Sequence, residues 1–290
     1  MKTSPSPSVK ALAGILCLTL GVASAHAAVL TLDFANGNGT TSVDQYTGTA
    51  GSGWNTAWTT AAGSGVTSST STVVNTTPLY TGGGNYLSTS FTVSGTTSTA
   101  NQWVRVSRQV NSSAISLTSP VSYSFTLRPD SAVQNTSETF TIFNATAATP
   151  NTGGSDTWKI TADGGGWNIY NGSTIVAVGK VGATNLAGTD YQFTINSDPS
   201  TKTWTTTIYN ITNNSTYNSG TLSWRNTAAT SENTFLNFVS QSGATSSQTF
   251  GYSLDNIVVV PEPSVGSLTA LAGLSFLLLK RYRRRATLSC

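Results

Sequence analysis

Apolar and polar residues alternate along most of the chain between its two ends. The run from Val121 to Arg128 is the clearest: Val121, Tyr123, Phe125 and Leu127 fall on one side, and Ser122, Ser124, Thr126 and Arg128 on the other. Successive side chains of a strand point to opposite faces, so this period of two predicts a strand buried on one face. The same pattern predicts strands at Leu30 to Phe34, Tyr86 to Val93, Trp103 to Val110, Thr139 to Asn144, Thr157 to Ala162, Trp167 to Tyr170, Thr174 to Val178, Tyr191 to Ile195, Thr203 to Ile211, Phe235 to Val239 and Phe250 to Val259. Turn residues separate them at Asp163-Gly164-Gly165-Gly166, Asn171-Gly172, Ser197-Asp198-Pro199-Ser200 and Asn213-Asn214-Ser215, which tolerate positive φ or bond their own backbone. No window outside the ends has a helical period.

Many short antiparallel strands predict an all-β fold, a two-sheet sandwich or a barrel. A right-handed β-helix would favour the same residues, but it needs a fixed repeat, and none occurs. Residues 35 to 78 fit the alternation least. Rich in Gly and Thr, they read as long loops or an edge of the sheet.

The ends follow other rules. Lys2 and Lys10 precede an apolar run from Ala11 to Ala23, and Ala25-His26-Ala27 places small side chains where a signal peptidase reads them. This is a secretory signal over residues 1–27, cleaved after Ala27. The run is too short to stay comfortably as an anchor in a core of about 30 Å, and Leu16 stands before Cys17 where a lipoprotein signal needs a small residue. At the other end, Pro261-Glu262-Pro263 leads into an uncharged span from Val265 to Leu279, closed by Lys280, Arg281, Arg283, Arg284 and Arg285. Prolines interrupt regular structure, the span partitions into the bilayer as a transmembrane helix, and the basic cluster stays cytoplasmic. An exported domain over residues 28–260 is expected between a removed leader and a C-terminal segment over 261–285.

Charge alters the picture once the ends are set aside. Charged residues make up 9% of the chain, against roughly 25% in ordinary proteins. Between residues 28 and 260 the bases are Arg105, Arg108, Arg128, Lys159, Lys180, Lys202 and Arg225, fewer than the ten acids there. That balance gives no support for nucleic-acid binding. The only histidine is His26, and the two cysteines are Cys17 and Cys290. The exported region therefore lacks the residues for disulfides, Cys or His metal sites, a thiolate nucleophile or a Ser/His/Asp triad.

In order and in distance from the chain end, the Pro-Glu-Pro motif, apolar span and basic cluster resemble the PEP-CTERM sorting signal. The resemblance covers about the last thirty residues. It implies processing near Pro261, Glu262 and Pro263 by an exosortase, then release or display at the surface of a Gram-negative cell, often beside exopolysaccharide. A plain tail anchor is the alternative, whereas a GPI signal would lack the terminal arginines. The run from Phe125 to Val260, with Trp158 to Asp163, Gly166 to Tyr170, Tyr191 to Ile195, Trp204 to Tyr209 and the closing Ser253 to Val259, loosely resembles concanavalin-like and laminin-G-like jelly rolls.

Candidate chemistry is sparse. Paired carboxylates could serve glycoside hydrolysis, and Glu138, Glu232, Asp156 and Asp163 are the notable acids, yet the Glu-x-Asp-x-Glu spacing of glucanases with this fold is missing. Glu138 and Glu232 read as solvated residues at strand ends. Calcium is the one cofactor considered, through Asp163, Asp255 and Asn256, though no Asp-x-Asp-x-Asp loop occurs. Trp54 and Trp58, in the Gly/Thr-rich stretch, are the candidate glycan contacts, with packing the favoured alternative; Trp103, Trp158, Trp167 and Trp204 read as core. The expectation is a non-enzymatic surface or matrix protein associated with polysaccharide, with signal peptidase, exosortase and the membrane as partners. A lectin-like module is the alternative, and a glycan-active hydrolase the third reading.

Overall fold

In the computed structural model the alternating segments become strands at the expected places. The structure describes residues 29–39, 46–47, 53–95, 101–130, 138–151 and 154–261; the signal sequence, the C-terminal span and the basic cluster lie outside them. In chain order the strands are β1 (Leu30–Leu32), β2 (Thr59–Ala62), β3 (Val66–Val74), β4 (Tyr86–Val93), β5 (Trp103–Gln109), β6 (Val121–Pro129), β7 (Thr139–Ala145), β8 (Lys159–Asp163), β9 (Gly166–Asn171), β10 (Thr174–Gly179), β11 (Tyr191–Asp198), β12 (Thr203–Asn210), β13 (Ser215–Asn218), β14 (Leu222–Ser223), β15 (Phe235–Gln241) and β16 (Gln248–Pro261). Among the described residues there is no helix long and apolar enough to cross a membrane.

Two antiparallel sheets form a sandwich. One runs β13-β12-β11-β6-β16-β4-β3, with β1 added on β16 and β14 on β12; the other runs β10-β9-β8-β7-β15-β5-β2. Their inner faces meet through aromatic rings, as the alternation requires. Phe125 of β6 lies edge-on to Phe238 of β15 at 5.3 Å and stacks on Phe193 of β11 at 5.2 Å. Trp167 of β9 reaches the same group, 4.9 Å from Phe193. Each such side chain, fully buried, contributes about 1.5–3 kcal/mol by leaving water.

Residues 35 to 78 hold more order than the sequence suggested. Here β2 and β3 form the edges of different sheets. Their sequences, Thr-Thr-Ala-Ala and Val-Thr-Ser-Ser-Thr-Ser-Thr-Val-Val, show little alternation because an edge strand has little burial contrast to encode. The small strands β13 and β14 escape notice for the same reason.

β16 is the hub of the larger sheet. It pairs with β6 along one side; on the other, Gln248 to Leu254 pair with β4, and Ile257 to Val259 pair with β1. The handover is made by a bulge: the register with β6 shifts between Asp255 and Val258, and Asn256 takes φ 51°. The Asp255 carboxylate accepts the Asn256 N–H at 2.7 Å. An extra residue on one strand bends it and sharpens its twist, which frees one side of β16 to change partners. Pro261 ends the strand, buried and in register with Val121. The expectation that the prolines interrupt the sheet is therefore corrected at Pro261, which occupies the terminal position of a strand, where a missing N–H is tolerated.

Candidate functional site

The acids and tryptophans named from the sequence are interior, with Trp103 and Asp163 as the two exceptions. Trp54 and Trp58 are 1% and 8% exposed. Trp58 stacks on Phe34 at 5.9 Å and meets Phe238, and the Arg108 guanidinium lies over both indoles at 5.4 and 5.8 Å. Burial pulls the Arg108 pKa down to about 10. The reading of Trp54 and Trp58 as glycan contacts is thereby corrected: their ring faces are occupied by the protein itself. Trp158, Trp167 and Trp204 are core, and so is Trp224. Trp103 faces outward and is half-buried, packed against a small cluster of Phe143, Ala145 and Val239 on the outer face of the smaller sheet.

Glu138 and Glu232 are not solvated strand ends; both are buried, at 3% and 2% exposure. Glu232 sits between the sheets. Its Oε2 accepts from Asn144 Nδ2 of β7 and, at 2.9 Å, from Thr157 Oγ1. The hydroxyls of Tyr123 and Ser197, from the opposite sheet, face the same carboxyl, and Trp224 Nε1 donates to Ser197 Oγ at 2.9 Å. Burial dominates and pushes the Glu232 pKa up to about 7, against the lowering effect of these donors. Asp156, fully buried, receives Arg225 NH1 at 2.8 and 2.6 Å, and Arg225 in turn lies 4.4 Å over the Tyr170 ring. Asp163 caps the β8–β9 turn by accepting Gly165 N at 2.8 Å. It lies in the smaller sheet and Asp255 in the larger, so Asp163, Asp255 and Asn256 do not form one calcium site. Among the described residues no group of three or more His, Cys, Asp or Glu side chains converges.

What the sequence did not reveal is a cleft of about 510 Å³ at one end of the sandwich, lined by Pro78, Leu79, Tyr80, Thr81, Asp190, Ile211 and Thr212. Three loops build it: the β3–β4 connection, the entry to β11 and the turn after β12. Each is fixed by hydrogen bonds. The Tyr80 to Gly83 turn closes through Gly83 N to Tyr80 O at 2.9 Å, and the Tyr80 ring lies against Gly83 so closely that an added Cβ would come within 3.0 Å of it. A larger residue there would press the ring outward by a few tenths of an ångström. Ile211 N donates to Asp190 O at 2.9 Å, and Asp190 N to Thr212 Oγ1 at 3.3 Å.

Arg128, at the end of β6, ties the loops together. Its Nε donates to Asp130 Oδ1 at 2.7 Å and its NH1 to Leu79 O at 3.3 Å, while NH1 stands 3.8 Å from Asp190 Oδ1 and the guanidinium covers the Tyr86 ring at 5.8 Å. Burial opposes the Arg128 charge, but the Asp130 hydrogen bond and the Asp130 and Asp190 charges outweigh it and raise its pKa. Burial likewise raises the Asp190 pKa, with Arg128 acting against it. Asp190 Oδ1 is buried, accepts no hydrogen bond and faces Arg128, while 15% of the side-chain surface stays exposed beside the cleft. The result is a hollow with one apolar side, from Pro78, Leu79, the Tyr80 ring and Ile211, and a polar rim of Thr81, Thr212 and Asp190. Such a site suits a small ring with one apolar face and several hydroxyls. Its components lie more than a hundred residues apart in sequence, and no local motif marks them.

No protein-family model matches this chain, and no curated protein matches its sequence. Several solved structures are similar in shape. A protein of unknown function from Shewanella oneidensis is 14% identical, with 89% of this chain and 95% of that one covered and a TM-score of 0.47. The catalytic domain of a glycoside hydrolase family 131 protein from Coprinopsis cinerea is 14% identical over 67% and 78% of the two chains, with a TM-score of 0.47. The cellulose-induced protein Cip1 is 14% identical over 80% and 97%, with a TM-score of 0.46.

Proposed function

We propose that this chain is an exported, non-catalytic surface or matrix protein that holds extracellular polysaccharide in the end cleft. The observation that carries the reading is the pairing of an aromatic ring, Tyr80, with a partly exposed carboxylate, Asp190, across an open hollow. A pyranose presents C–H groups that stack on an aromatic face and hydroxyls that donate to a carboxylate, so the two groups address the two chemistries of one sugar. Asp190 is offset by Arg128, which favours a neutral sugar over a uronate. We read the sandwich as a jelly roll of the concanavalin or laminin-G kind, the leader as removed by signal peptidase, and Pro261, Glu262 and Pro263 as the start of an exosortase-processed sorting signal. The non-catalytic reading draws on the acids: Glu232 and Asp156 are buried in internal hydrogen bonds and ion pairs, and the acid on the cleft, Asp190, has an arginine as its near neighbour.

The test is binding of the secreted form to neutral and acidic polysaccharides on an array and by calorimetry. Tyr80→Ala and Asp190→Asn are each expected to weaken binding at least tenfold, with Trp103→Phe unchanged. A folded double variant that binds like the wild type would remove the cleft from consideration, and turnover of any bound glycan would overturn the non-catalytic reading. Intact mass in the native host tests sorting: a mature product still ending at Cys290 would refute processing.

A further inference from the structure

Among the described residues β10 is the edge strand that carries a large exposed hydrophobic side chain, Ile175. Its sequence, Thr174-Ile175-Val176-Ala177-Val178-Gly179, carries no charge and no proline, and Ile175 is 57% exposed. Val176 and Val178 pack against the core, whereas Ile175 and Ala177 point outward. Proteins commonly blunt an edge with lysine, proline or a cover, because an unpaired row of N–H and C=O groups templates another strand. The edge strands β2 and β13 are short, with four residues each, and β3 is longer but polar along its middle, with Val73 N donating to the Asn38 side chain at 3.2 Å. On β10 a bulge near Val178 leaves the first four residues regular.

The hairpin fixes which groups are free. Asn171 faces Thr174 across Gly172 and Ser173, and Gly172 has φ 59°, the first position of a two-residue hairpin turn. The residues closing such a turn exchange hydrogen bonds, so Thr174 and Val176 bond β9, while the N–H and C=O groups of Ile175 and Ala177 point away from it.

We propose that β10 pairs antiparallel with β10 of a second copy of this chain, about a two-fold axis through Val176. Opposite residues of antiparallel strands share a face, so outward Ile175 meets outward Ala177 of the partner, inward Val176 meets Val176, and the exposed Ile175 is covered. Ile175 and Ala177 then form the hydrogen-bonded pairs, and Val176 the close, non-bonded pair. Self-pairing places a strand against its own charges, and like charges directly opposite are destabilising; β10 has none, which favours a second copy over a foreign strand of complementary charge. The two smaller sheets become one continuous sheet, and no residue of β10 lines the end cleft, so this inference stands apart from the glycan reading.

Cysteine scanning tests the register. In the full-length exported chain with Cys17→Ser and Cys290→Ser, Val176→Cys is expected to form a homodisulfide under mild oxidation, since facing residues of a non-bonded pair have Cα atoms about 4.5 Å apart. Ile175→Cys alone is expected not to, but to join Ala177→Cys when both variants are expressed together. Ile175→Lys, at an exposed position that leaves the fold intact, should lower the Val176→Cys yield at least fivefold. No crosslink at Val176, equal crosslinking at all three positions, or a crosslink to a different protein would each overturn self-pairing.

Discussion

Glu232 makes the stability of this sandwich depend on pH in an unusual direction. Its carboxyl is raised from 4.5 to about 7 by burial, so near neutrality the folded protein holds a proton that the unfolded chain has released. Stability is then complete below about pH 4.5, falls as pH rises through the interval to about 7, and is flat above it. The shift of roughly 2.5 units, at 1.36 kcal/mol per unit, is worth about 3 kcal/mol. For a domain of this size that corresponds to about 10 °C in Tm. Asp255, which burial raises to about 6 with a further push from Asp33, acts in the same direction, but only below its own value. Asp255 is still half protonated near pH 6, so the Glu232 contribution is read as the difference between wild type and Glu232→Gln. Urea unfolding followed by tryptophan fluorescence, at half-unit pH steps, should give a midpoint that declines between pH 6 and 7 in the wild type at a constant m-value. In Glu232→Gln the decline should be clearly shallower, with only the Asp255 part left, because the amide oxygen can still accept from Asn144 and Thr157 while its N–H₂ meets the Tyr123 and Ser197 hydroxyls. Equal slopes in the two proteins between pH 6 and 7 would refute the assignment.

Other perturbations have equally definite outcomes. Asp156→Asn breaks a buried pair and strands Arg225, which should cost about 3–5 kcal/mol, read as a fall in urea midpoint. Trp58→Ala should cost about 3–5 kcal/mol through the cavity it leaves, with glycan affinity unchanged in the folded fraction at low temperature. Arg128→Met should free the 75–85 loop, giving faster proteolytic nicking there and weaker glycan binding, while the midpoint of global unfolding moves by less than about 2 kcal/mol. Ile175→Lys should leave the midpoint of the unpaired chain within about 0.5 kcal/mol.

How much of this was legible depended on burial contrast. Val121 to Leu127 announce β6 because every second side chain meets the opposite sheet. β3, with Thr and Ser on both faces of an edge, carries no such signature although it is just as long. Trp54 and Trp58 looked available because their neighbours in sequence are Gly and Thr; the residues that enclose them, Phe34, Phe238 and Arg108, come from distant strands. Glu232 was misread for a related reason. An isolated acid among Ser, Asn and Thr resembles a solvated loop residue, and its partners Asn144, Thr157 and Tyr123 come from elsewhere in the chain. The end cleft was beyond reach altogether, since Tyr80 and Asp190 converge only once β4, β16, β6 and β11 are side by side.

The place of β16 has a bearing on the order of assembly. It joins β6 on one side to β4 and β1 on the other, and it is the last strand among the described residues. During N-to-C synthesis the larger sheet exists as separate pieces, β13-β12-β11-β6 and β4-β3, with β1 waiting for a neighbour more than two hundred residues away. Contacts so distant in sequence form slowly. A nascent chain of this design keeps its larger sheet in pieces until β16 has emerged, and the two halves of that sheet are then joined in one late step.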